Sequence, residues 1–242
     1  MSSRFRLMLR STLIVALAIL AGPLQAQPMA NPTPAQPEPT GIRIPALNGH
    51  VENKVYISPT GMFRITVPVL PELGGSINDT PNVVTFQDNF NVHVSIGVFQ
   101  QDATQRWELS TRGTQEYLLY FFGNYVMSDF IQMFPGARIE SGQYSPTTLD
   151  GALITYTLLP GGSMFSDKRA ILGADKAPPV AKRGNMVFVK DGWIFIISTE
   201  LAERVTEHST YAKTPEQENE ILRQRLAAIL QRIEFTKPPA GT

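Results

Sequence analysis

The chain carries 242 residues, with 21 basic and 21 acidic side chains and no cysteine. Disulfides, cysteine-ligated metal sites and a lipidated N-terminal cysteine are thereby excluded. The even charge balance lacks the basic footprint that general nucleic-acid binding requires, so no nucleic acid is expected as a partner.

The first 26 residues read as a secretory signal peptide. Arg4, Arg6 and Arg10 give a positive start, Leu13 to Ala21 form a short apolar core, Gly22 and Pro23 break it, and Ala26 is a small residue at a cleavage point. The apolar run falls short of the ~20 residues that span a bilayer, so export is expected and the mature protein is periplasmic or secreted. Cleavage removes those arginines and leaves 18 basic against 21 acidic residues, a net of −3. Residues 27–50 hold Pro28, Pro32, Pro34, Pro37, Pro39 and Pro45. Proline fixes φ and has no N–H to donate, so this stretch reads as a poorly ordered linker. Residues 51–237 suffice for one domain with a sizeable core, and 238–242 form a tail.

Within the domain, β-rich runs come in pairs. Lys54–Ser58 and Met62–Val67 flank the turn Pro59-Thr60-Gly61. Val83–Gln87 and Val92–Phe99 flank Asp88–Asn91, and in the latter run Val92, Val94, Ile96 and Val98 alternate with His93, Ser95 and Gly97. That period of two predicts a half-buried strand with His93 facing outward. Arg138–Tyr144 and Ala152–Leu159 form a third pair; Met186–Lys190 and Trp193–Thr199 form a fourth around Asp191-Gly192. An Asp-Gly turn supplies the positive φ that a two-residue hairpin needs.

Two helices punctuate the hairpins. The central one, about Arg112 to Met133, is apolar around most of its circumference: Leu118, Phe122, Tyr125, Asp129 and Met133 lie on one face, and Tyr117, Tyr120, Met127 and Ile131 on the other. Either the domain covers both faces or one awaits a partner. The C-terminal helix opens with Thr214 as N-cap, Pro215 at the first helical position and Gln217 closing a capping box. Leu222, Leu226, Ile229, Leu230 and Ile233 then form one apolar stripe.

This order of hairpins, long helix, hairpins and closing helix resembles the PsbP-like fold shared with the Mog family of Ran-binding proteins. The residues that carry the likeness are Tyr56 to Ile65, Asp150-Gly151-Ala152, the run from Arg183 through Val189 to Thr199, and Ile233-Glu234-Phe235. The chain reads as an exported bacterial member. The resemblance implies an α+β domain, an antiparallel sheet with helices on its faces, in a family dominated by non-enzymatic binding and assembly modules. No motif matches a family binding site, so no residue role is carried over.

Little catalytic chemistry stands out. His50, His93 and His208 lie at separate places without metal-ligand spacing, and no cofactor is implied. A Ser163, His208, Asp167 triad can be written down, but no nucleophile-elbow or phosphate-loop pattern surrounds Ser163, and Gly161-Gly162-Ser163 reads as a turn. Residues 160–184 form a long connection that carries Lys168, Arg169, Lys176, Lys182 and Arg183 against Asp167 and Asp175. Long loops are often functional, so this one reads as either a solvated insertion or a basic lip for an acidic partner or an anionic membrane surface. The expected function is that of a non-catalytic accessory protein. It would bind another envelope protein through Tyr117, Tyr120, Met127 and Ile131 or through the basic loop. The alternative is a small apolar ligand or lipid held in a pocket lined by Phe121, Phe122 and Tyr125; an unannounced hydrolase is third.

Overall fold

The computed structural model describes residues 46–166, 179–207 and 210–237. The signal-peptide reading, most of the linker and the tail lie outside these residues, as do Asp167, Lys168, Arg169, Asp175, Lys176 and His208.

A seven-stranded antiparallel sheet forms the middle layer, in the order β4 (Ser76–Asp79), β5 (Val83–Gln87), β6 (His93–Gln100), β10 (Trp193–Glu200), β9 (Val180–Lys190), β8 (Ala152–Pro160), β7 (Arg138–Ser145). A second sheet of four strands joins β1 (His50–Glu52), β2 (Val55–Ile57), β3 (Phe63–Thr66) and β11 (Ile233–Phe235). The helices are α1 (Ala103–Arg112), α2 (Thr114–Phe121), α3 (Met127–Met133), the single turn α4 (Glu203–Thr206), and α5 (Pro215–Gln231). The α+β class with its antiparallel hairpins is therefore as the sequence indicates. His50 opens β1, and the backbone N–H groups of Asn48 and Gly49 donate to the Asp79 carboxylate at 2.8 and 2.7 Å.

Side chains alternate along each strand, so the large sheet has two apolar faces. Val94, Ile96 and Val98 pack with Phe195, Ile197, the small sheet's Phe63 and Ile65, and Leu222 and Leu226 of α5. Phe99, Leu153, Val187, Ile194 and Ile196 pack on the other side under Tyr117, Leu118, Phe121 and Phe122. Both faces are covered, which makes β8 buried along nearly its whole length. Helix α5 can lie close because Gly184 has no side chain; a Cβ there would sit 3.0 Å from that of Leu222.

The central helix departs from its expected form. Gly113, at φ 76°, separates α1 from α2, and Phe122–Val126 form a π-helical turn between α2 and α3. A π turn takes more residues than an α turn and so offsets the helical period beyond it. Tyr117, Leu118, Phe121 and Phe122 face the sheet before the offset, and Val126, Met127 and Phe130 after it. Extending one α period across the segment places Met127 on the outward side, which is incorrect. Tyr117 is also buried, 1% exposed, with its hydroxyl accepting from Gln101 Nε2 at 3.2 Å. Tyr120 is half-buried under the Arg112 guanidinium, whose central carbon lies 4.5 Å from the ring centroid. Of the four proposed contact residues, only Ile131 is largely exposed.

Candidate functional site

On the helix-covered face of the large sheet, a belt of polar residues crosses five strands. Cross-strand register sets Thr85 opposite Ser95, Ser95 opposite Ser198, Ser198 opposite Asn185, and Asn185 opposite Thr155. Beside this row, Gln87 faces His93, Glu200 faces Arg183, and Arg183 faces Thr157. The register follows from the Asp191-Gly192 turn, whose two positive φ angles of 51° and 78° fix a two-residue hairpin. Most of the belt is satisfied internally. Ser198 Oγ donates to Asn185 Oδ1 at 2.8 Å, and Asn185 Nδ2 donates to Thr157 Oγ1 at 3.2 Å.

At one end of the belt sits a buried charge cluster. Arg183 is 2% exposed and Glu200 fully enclosed. The guanidinium Nη2 donates to the Gly162 carbonyl at 2.9 Å and lies 3.6 Å from Glu200 Oε2. Glu200 accepts from Ser163 Oγ at 2.6 Å and from the Met164 N–H at 3.1 Å. Ser163 is thus a buried donor to a carboxylate, and its oxygen also accepts from the Phe165 N–H at 3.0 Å. That is the bonding of a turn-locking serine rather than of a nucleophile with a basic partner. His208 and Asp167, the other members of the written triad, lie outside the described residues.

His93 completes the cluster. It is 2% exposed, so the expectation of an outward-facing histidine is corrected: the alternation along β6 holds, but the supposed outer face is roofed by helices. Burial, and then the charge of Arg183, hold the imidazole well below its ordinary pKa and keep it neutral. Burial likewise lowers Arg183 from its ordinary value, with Glu200 opposing the shift. Among the described residues, His93 Nδ1 and Arg183 Nε have no hydrogen-bond partner. Buried polar atoms without partners are uncommon and mark strain, a functional role or an absent binding group.

Both residues line a cavity of about 80 Å³, partly open to solvent. Its β-side is made by Val83, Thr85, Ser95, Gly97 and Phe99, and its roof by Val126, Phe130 and Met133, with Met164 also in the lining. The π turn helps create it, because the offset it introduces brings Val126 and Phe130 over the belt. The lining differs from the aromatic set Phe121, Phe122 and Tyr125 expected from sequence; Phe121 and Phe122 are buried in the core under the helices, with Tyr125 packed against it.

The basic-loop residues separate. Strand β9 begins at Val180, so Lys182 and Arg183 belong to the sheet and are buried. They point to opposite faces: Arg183 to the cavity, Lys182 toward α5. Lys182 Nζ donates to Glu218 Oε2 at 2.9 Å and to the Pro215 carbonyl at 3.3 Å, and also pairs with Glu140. A register shift between Ile139 and Ser141 bulges β7 at Glu140, the kind of irregularity that re-aims a side chain. Neither cation can serve a surface lip, so only Lys168, Arg169 and Lys176, outside the described residues, remain for that role.

Among the described residues, no group of three or more His, Cys, Asp or Glu could hold a metal ion, and no helix is long and apolar enough to cross a membrane. The described residues form an α+β domain of antiparallel strands and helices. Similar solved structures are the cyanobacterial PsbP of Synechocystis (12% identity, 75% of this chain and 91% of that one, TM-score 0.44) and the Saccharomyces cerevisiae Ran-binding protein Mog1p (8% identity, 78% and 96%, TM-score 0.44). No family model and no curated protein matches the sequence. No partner or residue role is carried over from likenesses of this size.

Proposed function

We infer that this chain is an exported, non-catalytic binding protein whose site is the cavity between the polar belt of the sheet and α3. The observation that carries this reading is a pair of enclosed nitrogens without partners among the described residues, Arg183 Nε and His93 Nδ1, on two side chains that line a cavity of mixed apolar and polar walls. Small-molecule sites combine an apolar lining with a few convergent polar groups. The test is native mass spectrometry of gently purified protein beside a Met133→Trp variant that fills the cavity. The wild type should carry an additional small mass that the variant lacks. A bare mass in both, with no thermal shift on adding small apolar compounds, would overturn the reading.

A second reading, docking to another envelope protein, is supported by one exposed large apolar side chain on each of three helices: Trp107 at 62%, Leu119 at 46% and Ile131 at 52% exposure. Replacing all three with Ser should abolish recovery of any specific envelope partner; unchanged recovery removes this face from consideration.

A further inference from the structure

Resting on the cavity reading above, we propose that the ligand is a short amphipath with an uncharged carbonyl-type oxygen, such as an ester, which accepts from Arg183 Nε while its apolar body lies under Phe130 and Met133. The charge balance of the floor selects this class. Arg183 already faces Glu200 at 3.6 Å, and the Glu200 carboxylate is held by Ser163 and Met164. A bound carboxylate would bring a second negative charge beside Glu200 into a low-dielectric site with no second cation among the described lining residues, which is costly. A cationic head would meet the guanidinium. An apolar molecule would leave the Nε–H without a partner, at the cost of an unmade buried hydrogen bond. A neutral oxygen satisfies the donor and adds no charge, and His93, itself neutral, adds no charge to the site either.

The dimensions set the length of the molecule. The cavity has about 80 Å³, roughly half of the ~150 Å³ apolar cavity that holds benzene. It encloses the head and the first few carbons, and the remainder leaves through the side open to solvent. The lining methionines, Met133 and Met164, are unbranched and adaptable, so they can move aside for the head and close over the chain behind it.

The probes are methyl hexanoate, hexanoate and hexane, titrated into the full mature chain by calorimetry at neutral pH. Methyl hexanoate should bind, hexane about tenfold or more weakly, and hexanoate more weakly than the ester, since a hydrogen bond from a charged donor is worth at least that factor. Arg183→Lys keeps the charge but removes the Nε–H, and should bring the ester down to the level of hexane. If that variant does not fold, the Arg183 Nε–H correlation in nitrogen–proton spectra of the wild type decides instead: the ester should shift it and hexane should not. Equal binding of ester and hexane with no such shift would overturn the head-group assignment and leave the cavity reading standing, and tighter binding of hexanoate would do the same. Binding of none of the three, in wild type and Met133→Trp alike, would overturn both.

Discussion

Replacing Lys182 with Met should cost about 3 kcal/mol of stability, the lower end of the range for breaking a buried ion pair. The side chain is completely enclosed, and its ammonium is shared by Glu218, Glu140 and the Pro215 carbonyl. The lower end applies because neither carboxylate is stranded. Glu218 keeps Arg204 Nη1 at 2.6 Å and the Tyr211 hydroxyl at 2.8 Å, and the Glu140 side chain is 23% exposed and can hydrate. A domain of this size loses about 2–4 °C of Tm per kcal/mol, so the midpoint should fall by about 6–12 °C. Urea titration followed by the fluorescence of Trp193 and Trp107 measures the change without the ionic screening that guanidinium introduces. Adding Glu218→Gln to Lys182→Met should cost less than the sum of the single changes, a coupling of about 1–2 kcal/mol. The pH profile supplies a second readout. Burial by itself raises the Glu218 carboxyl, but hydrogen bonds from Lys182 and Tyr211 and the charge of Arg204 outweigh it and hold the group below its ordinary 4.5. Its contribution is therefore present above pH 4.5 and is lost as the pH falls through the lower folded value. Wild type should show this acid slope and Glu218→Gln should lack that portion of it. A Lys182→Met protein that unfolds at the wild-type urea midpoint, or strict additivity in the double variant, would refute the reasoning.

His93 provides the next prediction: its folded pKa lies well below 6.5, so stability should decline as pH falls below 6.5 and the unfolded chain takes up the proton first. His93→Leu should flatten that part of the curve, read as urea midpoints between about pH 7.5 and 5.5. Gly184→Val should destabilise by about 1–3 kcal/mol by forcing α5 off the sheet, visible in the same titration; a neutral outcome would mean the helix moves freely. Asp102→Ala removes a reciprocal capping box, in which Asp102 Oδ1 accepts from the Gln105 N–H at 2.7 Å, and should cost about 1 kcal/mol in thermal unfolding.

Hairpins with strong turn chemistry were legible in the sequence. Strand β5 occupies the predicted residues, the Asp191-Gly192 turn has the required positive φ values, and the Thr214/Gln217 box caps α5. Helix α1 was not legible because most of its surface is polar and its Trp107 is exposed; the Asp102-x-x-Gln105 box was the available signal. The first half of β9 was hidden by Lys182 and Arg183, which read as part of the loop 160–184. Their partners Glu218, Glu140 and Glu200 come from other elements, and only the fold brings them together. Part of the site could have been derived locally. A two-residue Asp-Gly hairpin sets Arg183 opposite Glu200 and Asn185 opposite Ser198 across the turn, and opposite charges at facing positions are a pairing signal. What alternation along β6 cannot convey is whether the second face of a strand is roofed, and that decides whether His93 meets water or the cavity.

The pairing of β11 with β3 has a consequence for how the domain comes together. Ile233–Phe235 lie beside Phe63–Ile65, at opposite ends of the described chain, and between them α5 delivers the carboxylate that Lys182 requires. A chain emerging from its N-terminus cannot complete either arrangement until its last segment is free. Until then the small sheet has an open edge and a lysine in the large sheet lacks a principal counter-charge. Contacts of such long sequence separation are slow to form. Folding should therefore be late and all-or-none, with the small sheet and the buried lysine completed in one final step.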